Sequence, residues 1–374
     1  MNKKTICISG INGQLGQYLA KFLIENEPAL QIIGTLRHKT SRHETYIFDA
    51  SQVIFELMDL NDAHSIENLI VKYKPDYFIN CAACAFVAES WATYEVHMQQ
   101  NFMAVLHQLE AIRKYSPNTR YYNSGSSEEF GVKEVTAAQN ESTIISPRSP
   151  YGVSKSASRF GCKVWRESYS LYAIQGWSFN FESPLRDEKY FPRKISKGVA
   201  RIHYATSKGH FFNPIEVGNL NSHRSFLHAK DVAFGIWLQL NQEKYNKNYP
   251  ISACNNIDLS KKYFINSLKE YVISSNDTFP IRNLIELAFM AAGISGYWEG
   301  EGLNEKFLST SFCDESGNPS KLVIINEKFF RPNDVTYLHG DSSAIKKDLG
   351  WKQTVQFKDL IFEMVSSDIK NFTP

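Results

Sequence analysis

The sequence predicts an α/β protein: a doubly wound parallel sheet, with a smaller, interleaved α/β lobe toward the C-terminus. Three observations carry this. Short apolar runs alternate with amphipathic stretches through residue 181, the βαβ pattern of strands covered on both faces. A glycine-spaced turn separates the first apolar run from the first helical period. The 374 residues are 43% hydrophobic and 21% charged, the composition of a packed globule with ample core material.

The elements follow in order. Thr5–Ser9 is a buried-strand run, and residues 15–27 place Leu15, Leu19, Phe22 and Leu23 at helical spacing. Gln31–Leu36 reads as the second strand and Val53–Leu57 as the third. Residues 62–74 read as a helix that starts near Asp62 and is ended by Pro75. The fourth strand is expected over residues 77–81, then a long helix over 94–115 closed by Pro117. Arg120–Ser124 is the fifth strand, 150–172 a long helix, and 176–181 the sixth strand. Beyond Glu182 the pattern loosens around Pro184, Pro192 and Pro214, with helical candidates at 226–240, 282–292 and 357–369. The polar stretch 241–269 reads as an inserted surface element.

Composition also excludes. With 41 basic residues against 39 acidic ones, the formal charge is +2, too small for a nucleic-acid or membrane-surface partner driven by charge. Six cysteines are too few for a disulfide scaffold. Cys81-Ala-Ala-Cys84 has metal or redox spacing but no second pair and no nearby histidine, so buried free thiols and no metal are expected. The apolar run at Thr5–Ser9 is too short for a signal peptide, and no run approaches the ~20 residues of a membrane span. A cytoplasmic protein is expected.

Gly10-Ile-Asn-Gly13-Gln-Leu-Gly16 follows a strand and opens a helix. Glycines there let the chain turn tightly and bring the backbone N–H groups around Gln14 and Leu15 up to a pyrophosphate, a Rossmann-type dinucleotide site. An acidic residue at the end of strand two would accept from a ribose hydroxyl; here that strand ends in Arg37-His-Lys39, so NADP is expected over NAD. Asp59-Leu60 follows strand three, where the aspartate either reaches the adenine edge or caps a turn. Ala82 and Ala83, after strand four, are placed in the same site. Tyr151 and Lys155 stand four apart on one helix face, where an ammonium lowers a phenol from its usual ~10. Strand five runs into Ser124-Gly-Ser126-Ser-Glu128 just before them.

These features resemble the extended short-chain dehydrogenase/reductases, and within them the GDP-mannose 4,6-dehydratase family. The blocks that carry the likeness include Ser126-Ser-Glu128, Pro147-Arg-Ser-Pro-Tyr151, Phe179-Asn-Phe-Glu-Ser-Pro184, His228-Ala-Lys-Asp231, Phe330-Arg-Pro332 and Leu349-Gly-Trp351. The resemblance implies a mainly NADP-binding unit over 1–181 and a mainly nucleotide-sugar-binding lobe over 182–374 that returns some elements to the sheet. It implies Ser126, Glu128, Tyr151 and Lys155 as catalytic residues, with Arg186 near the cofactor. Ser124, Asn180, Lys194, Arg224 and Arg331 would hold a GDP-sugar, mannose or a manno-heptose. A homo-oligomer, dimer or tetramer, is implied as well.

The chain departs from the family's pattern with Ser126 in place of threonine, Phe86 and Phe181 in place of histidines, and His38 in place of a second arginine. The segment after Arg37, which helps join subunits in the family, is also shorter. A 4-reductase or epimerase of the same superfamily, or a nucleotide-binding regulatory protein without activity, are the other readings. Glu128 discriminates against the first and the intact Ser126, Glu128, Tyr151 and Lys155 set against the second.

Overall fold

Neighbouring residues on the central strands bury their side chains in opposite layers, as the pleat demands of a sheet covered on both faces. Ile6 and Ile8 join one apolar cluster while Cys7 joins the other, and Tyr77 and Ile79 alternate with Phe78 in the same way. The computed structural model describes residues 3–38, 46–131, 138–245, 264–330 and 337–373. Its main sheet contains β1 (Thr5–Ser9), β2 (Gln31–Leu36), β3 (Val53–Leu57), β4 (Tyr77–Asn80), β5 (Arg120–Ser124) and β6 (Ala173–Ser178), joined by a later strand, Val272–Ile273. The order is Val272–Ile273, β6, β5, β4, β1, β2, β3, and every pairing is parallel. The order reverses between β1 and β4, so the crevice beyond their carboxyl ends is where such a sheet binds ligands.

Helices α1 (Gln14–Asn26), α2 (Ala63–Tyr73), α3 (Tyr94–Met98), α4 (Ala104–Tyr115) and α5 (Pro150–Tyr169) belong to this unit. The second half contributes α6 (Phe191–Ser207) and α7 (Ala229–Leu240). Helix α7 packs against α1, and its Ile236 and Trp237 share a core with Leu15 and Leu19. Helix α6, the helices Ile281–Ala291 and Phe357–Lys370, and a four-stranded sheet enclose a separate core built on Ile195, Val199, Phe289, Phe307, Val323 and Met364. No helix among the described residues is long and apolar enough to cross a membrane.

The first, second, third and fifth strands fall where the sequence puts them, and several later boundaries differ. The helix expected over 150–172 stops at Tyr169, because Ser170 takes a left-handed φ of 55°. β6 therefore begins at Ala173, before the expected residue 176. The strand expected to run through Phe181 divides, and Phe181–Glu182 pairs with Leu227–His228 in a sheet of its own. For that reason the helix expected over 226–240 starts at Ala229, capped by His228, whose Nδ1 accepts from the Lys230 N–H at 3.0 Å. The long helix over 94–115 contains a π-helical segment, Gln99–Met103.

The stretch 241–269 is not a surface element at its ends. Asn241, Gln242, Ile265 and Leu268 are buried, and Gln242 exchanges hydrogen bonds with the Lys269 main chain at 3.0 and 3.1 Å. Residues 246–263 of that stretch, Cys254 among them, lie outside the described residues.

Candidate active site

Three glycines shape the turn between β1 and α1. Gly10 has φ 69°, and a Cβ there would lie 2.9 Å from the Ala82 nitrogen, so the loops after β1 and β4 touch at the switch point. A Cβ on Gly16 would lie 2.3 Å from the Gly10 carbonyl oxygen; its absence lets α1 sit against the turn. No side chain caps α1 at Gly13, and no acidic residue stands in its first turn. The donors of that turn are thus left for an anion, and the cradle fits a dinucleotide pyrophosphate.

The other expected cofactor residues divide. Gln14 spends its side chain on the second half of the chain, donating to the Phe181 carbonyl at 3.0 Å and accepting from the Ser183 hydroxyl at 2.6 Å. Leu15 and Leu60 are core side chains. The Asp59 carboxylate accepts from the Asn61 N–H at 2.9 Å, the turn role. Ala82 and Ala83 are half-buried in the loop after β4, and the Ala82 N–H donates to Ser9 at 3.2 Å. Arg37 is exposed at the end of β2, and Lys39 lies outside the described residues. Arg186 pairs with the buried Glu182 at 3.2 Å and stacks on the Tyr190 ring at 3.5 Å, beside Phe181 and near Phe86.

The catalytic candidates converge on the start of α5. Ser149 caps that helix and Pro150 opens it, which sets Tyr151 in its first turn and Lys155 one turn on. Lys155 is buried; its Nζ donates to the Ser124 carbonyl at 2.7 Å and lies 5.9 Å from the Tyr151 ring centroid. Ser126 accepts from the Glu128 N–H at 3.2 Å and its hydroxyl faces the Tyr151 phenol, while Glu128 stays half-buried. A Cβ on Gly152 would lie 2.7 Å from the Glu128 carbonyl, so α5 seats directly under this turn.

The electrostatics correct one expectation. Burial pushes the Tyr151 phenol well above its usual range, and the pull downward comes from the Ser126 hydrogen bond rather than from Lys155. Lys155 is itself pushed down to about 8 by burial, against the opposing charge of Glu129, which weakens its claim to a permanent positive charge beside the phenol. Cys81 and Cys84 are free thiols as expected, half-buried where buried ones are expected, and burial pushes Cys81 up to about 12. No group of three potential metal ligands occurs among the described residues.

The expected substrate residues spread over the second half. Lys194 donates to the Glu216 carbonyl at 2.7 Å and lies 3.5 Å over the Phe329 ring, lining a cavity of about 600 Å³ with Gly198, Asn213, Ile215 and Glu216. None of its lining residues belongs to the Ser126–Lys155 group. Arg224 donates to the His223 carbonyl, and the Asn180 carbonyl accepts from the Leu227 N–H at 2.9 Å. Arg331 lies outside the described residues.

Sequence reasoning missed the polar residues beneath the site. Ser9, Asn80, Asn123 and Gln175 are neighbours in register across β1, β4, β5 and β6. Ser9 donates to Asn80 at 2.5 Å, Asn80 to Asn123 at 2.8 Å and Asn123 to Gln175 at 2.6 Å. A polar residue near the end of successive apolar strands was the available signal. Asn101, in the π-helical segment, holds the Cys84 main chain through both its N–H and its carbonyl at 2.9 Å and donates to Ser154 at 3.0 Å. Such segments gather at functional sites, but nothing in the residue pattern marks one.

The family model described as GDP-mannose 4,6 dehydratase matches residues 7–265 and 262–364. The chain belongs to the GDP-mannose 4,6-dehydratase family. It is 31% identical over 386 residues to the GDP-mannose 4,6-dehydratase of Vibrio cholerae, covering 99% of this chain and 95% of that one. It is also 31% identical over 378 residues to the GDP-mannose 4,6 dehydratase of Drosophila melanogaster, covering 98% and 86%. Among solved structures, the UDP-glucose 4-epimerase of Thermotoga maritima aligns over 98% of this chain and 99% of its own with a TM-score of 0.73 at 17% identity, a likeness of fold alone.

Proposed function

We propose that this family member converts GDP-mannose, or a GDP-manno sugar of similar shape, to the 4-keto-6-deoxy sugar with NADP as its resident cofactor. The observation that carries the reading is the meeting of Ser126, Glu128, Tyr151 and Lys155 around one helix start. Tyr151, facing Ser126 and backed by Lys155, takes the proton of the C4 hydroxyl. Glu128 takes the proton from C5, made acidic by the adjacent ketone, and C6 loses its hydroxyl as water. NADP held there would supply the acceptor for the C4 hydride and the donor of that hydride to C6, and the proton taken by Tyr151 would pass to C5, so that cofactor and side chains end as they began. Gly10, Gly13 and Gly16 would cradle the pyrophosphate, with Arg37 toward a ribose phosphate and Arg186 at the nicotinamide end. Lys194, Arg224, Asn180 and Arg331 would hold the nucleotide sugar, and the cavity beside Lys194 has the size of a ligand site.

Residues 1–181 serve the cofactor in this reading and 182–374 mainly the substrate. A homo-oligomer fits the exposed apolar face of α5, where Val153, Phe160 and Val164 lie uncovered beside Tyr94 of α3. The test of the reaction is GDP-mannose deuterated at C4. Label recovered at C6 of a dehydrated product, without net cofactor consumption, supports it. Stoichiometric reduced cofactor with no loss of water overturns it in favour of a dehydrogenase. Glu128→Gln should stall after C4 oxidation, with at most one reduced cofactor per site.

A further inference from the structure

We propose that the buried pair Glu129–Arg159 is a positioning device for this reaction, fixing the turn that carries Ser126 and Glu128 against α5 at the level of Lys155. The inference rests on the dehydratase reading above.

One carboxylate holds the turn from below. Glu129 is fully buried, and its Oε1 accepts from the Ser126 N–H at 2.8 Å and from Gln175 Nε2 at 3.1 Å. Its Oε2 accepts from Arg159 Nε at 2.5 Å. Ser126 in turn accepts from the Glu128 N–H, so the residues on either side of Ser127 are tied to a single anchor. Residue 125 is glycine where the turn is hemmed in: a Cβ there would lie 2.3 Å from the Gly176 carbonyl oxygen, 2.8 Å from Glu129 Oε1 and 3.0 Å from Arg159 Nη2.

The arginine is fixed as firmly. Its Nη1 donates to the Gln175 carbonyl at 2.5 Å and to Glu270 at 2.7 Å, its guanidinium lies 3.4 Å over the Trp177 ring, and Glu270 pairs with Arg166 at 2.9 Å. Two acids and two bases thus neutralise one another. Tyr151, Lys155 and Arg159 follow at four-residue spacing on α5, so the pair sits one helical turn from Lys155. Stability alone does not account for it, because well-packed apolar side chains often replace a buried ion pair without loss. The strand-end ladder from Ser9 through Gln175 ends on the same carboxylate, joining the glycine turn to the catalytic turn.

Tyr151 is faced by Ser126, Glu128 and Glu129 from the turn, by His97 from α3, by Tyr190 before α6 and by Lys155 from its own helix. Glu129→Gln keeps the shape and the acceptor for Ser126 but removes the charge. Expected are a kcat lowered about tenfold or more with KM within about threefold. The acid limb of kcat/KM should move to lower pH, because Tyr151 loses a nearby negative charge. Should that variant fail to fold, Glu129→Leu with Arg159→Met keeps volume without charge. With the Ser126 N–H and Gln175 Nε2 left without their acceptor it should melt lower than the unmodified protein, exchange the Ser126 and Glu128 amide hydrogens about tenfold faster relative to other buried amides, and lose kcat in step. A folded double variant with unmodified kcat, pH profile and amide exchange overturns the proposal. If the unmodified chain makes no keto sugar from any nucleotide sugar, the dehydratase reading fails by itself, and amide exchange still decides whether the pair holds the turn.

Discussion

Alanine at Gly13 and at Gly16 separates what the glycines do for the fold from what they do for a ligand. A Cβ on Gly16 falls 2.3 Å from the Gly10 oxygen and 2.8 Å from Ile11 Cα, main-chain atoms that cannot rotate away. Ordinary contact begins at 3.4 Å, so α1 and the turn must separate by about 1 Å. Overpacking of this kind costs about 1–3 kcal/mol. With an unfolding entropy of about 2.1 cal/mol/K per residue over 374 residues, each kcal/mol lowers Tm by roughly 1.3 °C. Gly16→Ala should therefore melt about 1–4 °C lower.

A Cβ on Gly13 meets only the Gly10 oxygen, at 3.2 Å, and its φ of −70° and ψ of 160° suit alanine. The poorer cap costs about 1 kcal/mol at most, or roughly 1 °C. What alanine obstructs there is an anion approaching the first turn of α1, so NADPH affinity should fall about tenfold or more while Tm holds. Thermal melts and fluorescence titrations with NADPH read both quantities. If Gly13→Ala binds NADPH as tightly as the unmodified chain, the cradle is misplaced; if Gly16→Ala melts unchanged, the packing argument is wrong.

Arg37→Asp should weaken NADPH binding by more than about tenfold, since a charge-assisted contact becomes a repulsion; equal affinity of the unmodified chain for NADPH and NADH counts against the assignment. Lys155 titrates at about 8 when folded against 10.5 free, so its stabilising contribution is full only above 10.5 and is lost as pH falls through 8. Lys155→Met should accordingly raise Tm most below pH 8, the gain shrinking between pH 8 and 10.5; a gain independent of pH refutes the burial argument. Phe160→Glu, on the exposed face of α5, should shift the assembly toward monomer in light scattering while leaving the fold intact, and an unchanged mass places the contact elsewhere.

The parallel sheet was legible because strands buried on both faces are uninterrupted apolar runs and the glycine turn marks where the first ends. Boundaries slipped where the chain's direction depends on a distant partner. Residues 181–182 and 227–228 become strands only by pairing with each other, 46 positions apart, and neither run is long enough to show a period. The placement of the candidate site was legible where the sequence spacing itself brings side chains together, as with Ser126, Tyr151 and Lys155 at the start of α5. It was not where a motif residue has been put to structural use. Gln14 sits inside the glycine motif yet bonds Phe181 and Ser183, tying the cofactor turn to the second half of the chain. Asp231, in another of the family blocks, accepts from the Thr354 and Val355 main chain and anchors the C-terminal segment. Sequence likeness marks such positions as special without saying whether chemistry or packing is the reason.

The fold does not decide the chemistry, since a 4-epimerase shares it at a TM-score of 0.73. Oxidation at C4 by a Ser, Tyr and Lys group serves either outcome. What divides them is the next proton: elimination needs a base at C5, whereas a 4-epimerase needs only to present the other face of its ketone. The backbone here fixes the turn that carries Glu128, the residue proposed as that base. Gly152 lets α5 close to the Glu128 carbonyl, Gly125 lets the turn close over Glu129, and Ser126 accepts from the Glu128 N–H. Two of these contacts hold the main chain of Glu128 directly and the third holds its neighbour, and Glu128 itself is half-buried. A carboxylate on a turn fixed in this way, two residues from Ser126 and near the Tyr151 phenol, is what elimination requires and a 4-epimerase does not, and the proposed reading rests on it.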